Sequence, residues 1–194
     1  MVRIYLWFDV KNYPYRIVPM FFHPRIHRAF FKHLIVDSGV NRFFKLMQLQ
    51  DYPAEYLRRY PILAERLTRM YGEKVWVTLP DYPADYVHNP IPNNLEKTLR
   101  NIEEMIGYDV NWLISIQARP LDVWHFREAC IIYRRMLGDY PRMAIGTLCT
   151  QSPIKYAVKC CRLARRFFPD SWIHVFGPNI RMLRHIAPFV DSID

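Results

Sequence analysis

The chain has 194 residues, 51% of them apolar, with 27 Lys and Arg against 18 Asp and Glu and a formal charge of +9. That length holds one α/β domain with a substantial core, and the apolar share excludes a disordered chain. No apolar run nears the roughly 20 residues of a membrane span, and residues 1–10 carry charge where a signal peptide would be apolar. The basic balance points to a polyanionic partner, nucleic acid first. Cys130, Cys149, Cys160 and Cys161 form no Cys-x-x-Cys, and the adjacent pair would make a strained disulfide. They read as reduced, buried thiols of a cytoplasmic protein.

Residues 3–10 alternate and are aromatic-rich, predicting a first strand. Residues 11–24 hold three prolines and predict a loop, with room for a short strand at 16–20. A short helix over 25–32 leads to Leu-Ile-Val-Asp-Ser-Gly at 34–39. A β-branched apolar run of this length reads as a buried strand of a parallel sheet. Its Asp-Ser-Gly then falls at the carboxyl edge, where α/β proteins bind ligands. The plainer alternative is that Asp37 and Ser38 cap a following helix.

Residues 40–50 suit helix or loop. A helix is expected over 51–71, with Asp51 as cap, Pro53 in the first turn, Tyr56, Leu63, Leu67 and Met70 as its apolar stripe, and Gly72 as its stop. Strands follow at 74–80, 112–116, 143–145, 172–176 and 190–194, separated by helices at 95–106, 122–137, 154–168 and 181–186. The helix over 154–168 turns Ile154, Ala157, Val158, Cys161 and Phe168 inward and Lys155, Lys159, Arg162 and Arg166 outward. Asp-Tyr-Pro-Ala-Glu-Tyr at 51 recurs as Asp-Tyr-Pro-Ala-Asp-Tyr at 81, but the flanks differ, which gives two similar turns and no repeat architecture.

Strands alternating with helices at this spacing predict parallel β/α units. Seven strands, near residues 5, 35, 76, 114, 144, 174 and 192, make a TIM-like (β/α)8 barrel lacking its last unit, as one domain over 1–194. An open doubly wound sheet is the alternative, though no Gly-x-Gly-x-x-Gly or Walker loop supports nucleotide binding of that kind. In a barrel the strand tips converge: Asp37, Ser38 and Gly39, then Asp81, Gln117, Gly146 and Thr147, His174 with Gly177, and Asp191 with Asp194. Carboxylates there can accept from the N–H and amino edge of a purine-like base, while an amide and backbone N–H groups serve its carbonyl edge.

The order and spacing of these tips resemble the queuine/archaeosine tRNA-guanine transglycosylase superfamily, closest to its DNA-acting branch, deoxypurine-in-DNA protein A, over residues 30–194. Asp37-Ser38-Gly39 is similar to the family's Asp-Ser-Gly-Gly, whose Asp is the general acid/base. Asp81 falls at the base-recognition Asp, and Ile116-Gln117-Ala118 resembles the family's Ile-Gln-Gly. Ile145-Gly146-Thr147-Leu148 resembles the turn that binds the base carbonyl, and His174 falls where a side chain covers the base. Val190 to Asp194 resembles Ile-Asp-x-Phe-Asp, which makes Asp194 the nucleophile. Ser38, Gly39 and Thr147 would complete the substrate site.

The resemblance implies exchange of guanine for a 7-deazaguanine in nucleic acid, DNA before tRNA, through a covalent aspartyl intermediate and with no cofactor. Lys155, Lys159, Arg162 and Arg166 would hold phosphates. A homo-oligomer or a partner chain could complete the barrel. The sequence departs from the pattern at Val40 and Thr147, which replace glycines, and at Asn41, where tRNA enzymes usually carry an aromatic residue. The zinc motif of the tRNA enzymes lies beyond the nucleophile, and the His and Cys residues here show no ligand spacing, so no metal is expected. The departures leave a catalytically inactive base- or nucleic-acid-binding relative as the second reading. A basic α/β protein that binds nucleic acid without a base pocket is a third.

Overall fold

The computed structural model describes residues 2–7, 13–22, 31–83, 90–148 and 152–194. Eight parallel strands follow one another around a nearly closed barrel. They are β1 (Arg3–Ile4 and Leu6–Trp7), β2 (Tyr15–Pro19), β3 (His33–Asp37), β4 (Val75–Thr78), β5 (Trp112–Ile116), β6 (Arg142–Ile145), β7 (Trp172–Val175) and β8 (Ser192–Ile193). Among the described residues five α-helices lie between them: α1 (Ala54–Tyr71), α2 (Asn94–Met105), α3 (Val123–Leu137), α4 (Ile154–Phe167) and α5 (Ile180–Ile186). The predicted barrel is therefore present. Its eighth strand is β2, in the proline-bearing segment that read as loop with room for a short strand at 16–20.

Strand β1 makes the closure. Arg3 and Ile4 pair with Ser192 and Ile193, while Leu6 and Trp7 pair with Arg16 and Ile17. The strand changes partner at Tyr5, and β8 is paired on both sides within the chain.

Alternation along the strands separates two apolar layers. Tyr5, Ile17, Ile35, Trp76, Leu113, Ala144 and Phe176 meet inside the barrel. The intervening residues, such as Leu34, Val36, Val77, Ile114 and Ile145, pack outward with the buried faces of the helices. The same alternation places Asp37, Gln117, Gly146 and Asp194 on the inner face at the strand ends.

Several local expectations need correction. Helix α1 begins at Ala54 behind Pro53 with no side-chain cap, because Asp51 instead pairs with Lys97. Met70 lies on its exposed side, and Tyr60, Pro61 and Ala64 join Leu67 on the buried one. Helix α4 buries Tyr156, Cys160 and Ala164 with Ala157 and Cys161, while Ile154 is exposed. Cys130, Cys160 and Cys161 are buried free thiols. Cys149, residues 8–10 of the first predicted strand and residues 25–30 of the early helix lie outside the described residues. Among the described residues no helix is long and apolar enough to cross a membrane.

Candidate active site

Asp37 is the last residue of β3. Its Oδ1 accepts the Gly39 N–H at 2.7 Å, a local turn in which Gly39 has a φ of +87°. A Cβ on Gly39 would stand 3.1 Å from the Phe21 ring and 3.2 Å from the Phe43 ring. Burial pushes the Asp37 carboxyl up to about 7, the Gly39 N–H opposes this, and the charges of Asp81 and Asp194 add to it. The Asp37 and Ser38 pair therefore does not cap a helix. The next element is a single π-type turn, Asn41–Leu46, entered from Val40 with no side-chain cap.

Ser38 is fully buried and donates to Asp81 Oδ1 at 3.2 Å. Gln117 Nε2 donates to the other carboxylate oxygen, Oδ2, at 2.5 Å. Burial raises the Asp81 carboxyl, against the hydrogen bonds of Gln117, Ser115 and Ser38. With its amide turned to Asp81, Gln117 keeps a buried Oε1 that has no hydrogen-bond partner among the described residues. A buried acceptor left in this state is costly unless something occupies it.

Gly146 makes room for that amide. A Cβ at this position would lie 2.2 Å from Gln117 Nε2 and 2.4 Å from Ser115 Oγ. The Gly146 N–H itself donates to the Ile116 carbonyl at 3.1 Å, so what this residue gives the site is space. Gly146→Ala is expected to expel Gln117 from Asp81 and to destabilise the fold by about 1–3 kcal/mol, the usual cost of overpacking. Adding Gln117→Ala should restore part of the loss in chemical denaturation. A single mutant as stable as the wild type would contradict this packing. Next to Gly146, Thr147 is buried and its hydroxyl donates to the Ala118 carbonyl at 3.0 Å.

Asp194 follows β8 directly, and its Oδ1 accepts the Gly177 N–H at 2.8 Å. His174 lies beneath it, fully buried, with Nε2 at 3.6 Å from the same oxygen. Trp172 Nε1 can only donate and does so to Ser192 Oγ at 2.8 Å, and His174 Nδ1 is 2.9 Å from that oxygen. The arrangement that satisfies all three sends the Ser192 proton to Nδ1 and leaves the histidine proton on Nε2, facing Asp194. The Gly177 N–H holds Oδ1, with His174 Nε2 just beyond hydrogen-bond distance, and Oδ2 has no hydrogen-bond partner among the described residues. Asp191, in contrast, is tied down by Arg165 and by the Ile173 N–H at 2.8 Å, a structural role.

A set of tyrosines that sequence reasoning passed over fixes the strand ends. Tyr56 donates to the Ser38 carbonyl at 2.7 Å, Tyr60 to Thr78 at 2.7 Å, Tyr52 to Asp81 at 3.0 Å and Tyr133 to Ser115 at 2.9 Å. Burial pushes the hydroxyls of Tyr52, Tyr56 and Tyr60 up, so they remain protonated donors. Their spacing of four residues was the available signal.

The structure thus brings Ser38, Asp81, Gln117 and Gly146 into one buried cluster. Asp37 stands close enough to Asp81 and Asp194 to feel both charges. His174 sits deeper, in the barrel interior. Lys155, Lys159, Arg162 and Arg166 are all exposed along the outside of α4, apart from this cluster. Among the described residues no three His, Cys, Asp or Glu side chains stand together as metal ligands would.

These features define a parallel β/α barrel whose strand-end mouth carries carboxyl groups in contrasting surroundings. No protein-family model matches the sequence, and no curated protein matches it. Among solved structures the chain is similar to a variant of Rhizobium etli pyruvate carboxylase bound to its allosteric activator, acetyl coenzyme A. The TM-score is 0.47 at 12% identity, over 85% of this chain and 19% of that one. The chain therefore spans about a fifth of that protein's length, and the likeness is too low to bear on chemistry.

Proposed function

We propose that the protein exchanges guanine for a 7-deazaguanine in nucleic acid, DNA before tRNA, with Asp194 as nucleophile and Asp37 as general acid/base. The observation that carries this reading is the contrast between two carboxyl groups at one mouth. Asp37 is pushed up to about 7, while Asp194 has one oxygen held by Gly177 and the other without a hydrogen-bond partner among the described residues. Environments that separate two carboxyl groups in this way suit one to proton transfer and the other to attack.

In the first half-reaction Asp194 Oδ2 forms a bond to C1′ as the bond from C1′ to guanine breaks. The electron pair leaves with the base, and the Asp37 proton neutralises it. In the second, Asp37 takes the ring N–H proton of the 7-deazaguanine. The base nitrogen then attacks C1′, and the Asp194 carboxylate departs.

Base recognition falls to Asp81 and Gln117. A base entering the cluster takes the place of Gln117 Nε2 on Asp81, presenting its N–H and amino donors to the carboxylate. The released amide turns to the base carbonyl. The space at Gly146 permits that turn, and Thr147 and Gly39 hold the adjacent loops. Asp81→Ala leaves the buried amino edge unpaired and is expected to weaken binding of a 7-deazaguanine by roughly 1–3 kcal/mol in calorimetry. Equal affinity would reject the assignment. The exposed cations Lys155, Lys159, Arg162 and Arg166 descend from the mouth and can neutralise phosphates without reading sequence.

The decisive test is nucleoside mass spectrometry of DNA and tRNA incubated with the protein, guanine-containing substrate and a 7-deazaguanine. Appearance of the modified nucleoside supports exchange. Tight base binding with no exchange in either polymer would instead assign the protein as a binding relative.

A further inference from the structure

The segment joining β5 to α3, together with the first turn of α3, carries two large apolar side chains into solvent at the mouth. Leu121 is 62% exposed and Trp124 is 76% exposed. Leu121 has a φ of +60°. It is the third residue of a turn over 119–122, closed by the Asp122 N–H on the Arg119 carbonyl at 3.5 Å, with Pro120 second. In a type II turn that third position takes glycine or asparagine, so a leucine is strained there. Leu121 belongs to no hydrophobic core cluster among the described residues, so no core packing there offsets the strain.

The turn is braced on both sides. The Arg119 N–H donates to His125 Nδ1 at 3.0 Å, Asp122 caps α3 through the His125 N–H at 2.9 Å, and Tyr156 reaches the Arg119 carbonyl at 3.4 Å. Leu121 and Trp124 are therefore held out from a fixed base. Arg119 flanks them on one side. Tyr156 holds the first turn of α4 against the same turn, and there Lys155 begins the row of exposed cations. An apolar pair bordered by cations matches the cross-section of a double helix, with bases inside and phosphates outside.

We infer that Leu121 and Trp124 form a stacking wedge for double-stranded nucleic acid, filling the gap left when a base is drawn into the mouth. This rests on the base-exchange reading, since extraction of a base is what opens the gap. The wedge occupies the vacated stack, and Arg119 and Lys155 meet the neighbouring phosphates.

The test uses a fluorescein-labelled, guanine-containing DNA duplex, and a second duplex with a fluorescent adenine analogue beside the guanine that brightens when unstacked. Wild type should bind the first and brighten the second. Trp124→Ala should weaken binding by about tenfold and lose the brightening, and Trp124→Phe should keep most of both. Leu121→Gly should lose the brightening while melting no lower than wild type, because it relieves the turn. Variants that bind and unstack the duplex as wild type does would overturn the wedge and leave base exchange standing. Brightening by a wild type that exchanges nothing would keep the wedge and reject the exchange. A wild type that binds no duplex rejects both. A dimer that Trp124→Ala dissociates, with DNA binding unchanged, would reassign the patch to a contact between copies.

Discussion

Asp194→Asn is expected to leave no covalent protein–nucleic acid adduct on a denaturing gel and no exchange activity. The amide retains an oxygen for the Gly177 N–H, so the strand end should stay in place and the melting temperature should hardly move. Only the anionic Oδ2 is lost, and a neutral amide nitrogen does not attack C1′. An adduct that survives the substitution, trapped with DNA or tRNA, would disprove the nucleophile. Absence of any adduct or exchange in the wild type would favour the binding relative.

Asp37→Asn should separate activity from stability. Loss of a general acid/base typically costs about 10²–10⁴-fold in rate. The limb expected near about 7 in the wild-type pH–rate profile should vanish with it. Stability should move the other way. The folded protein holds the Asp37 proton up to about 7, while the ordinary carboxyl value is 3.8. Between these values the native state binds the proton and the unfolded chain has released it, so stability falls as pH rises. Above about 7 the full cost of a buried carboxylate is present. Asparagine removes that cost and can still accept the Gly39 N–H, so the variant should melt higher than wild type above about 7. The difference should fade toward 3.8. Identical melting temperatures across this range would show that Asp37 is not held up by its surroundings.

Much of this was legible in the sequence because parallel β/α units punctuate themselves. An apolar β-branched run, then a polar residue, then an amphipathic helix, located Asp37, Gln117, Gly146 and Asp194 at strand ends without any contact information. Strand β2 was obscured by Pro14 and Pro19, residues that usually mark loops but can flank a strand. Strand β1 looked like one continuous strand, because a change of partner at Tyr5 leaves no mark in alternation. His174 read as a cover for a ligand, and its depth depended on Ser192 and Trp172 meeting between the adjacent strands β7 and β8. The amide of Gln117 resting on Asp81 was equally hidden, since it depends on the space at Gly146. The strain at Leu121 could have been suspected from Pro120-Leu121-Asp122, a turn without its glycine.

The half-ladders of β1 also order the assembly of the molecule in time. Most pairings join neighbouring strands, and the helices lie between them, so much of the outer layer can form from nearby segments. The ladder between Arg3–Ile4 and Ser192–Ile193 bridges nearly the whole sequence and carries the largest loop-closure entropy of any contact in the barrel. Asp194 reaches Gly177 through the nearer β7–β8 pairing, but it comes up to Asp37 only when that ladder closes the ring. The seam works as a clasp: a barrel with it undone retains most of its buried surface but has no assembled carboxyl pair. The proposed reactivity would therefore be acquired at the final step of folding, and it would be the first property lost when the ring slackens.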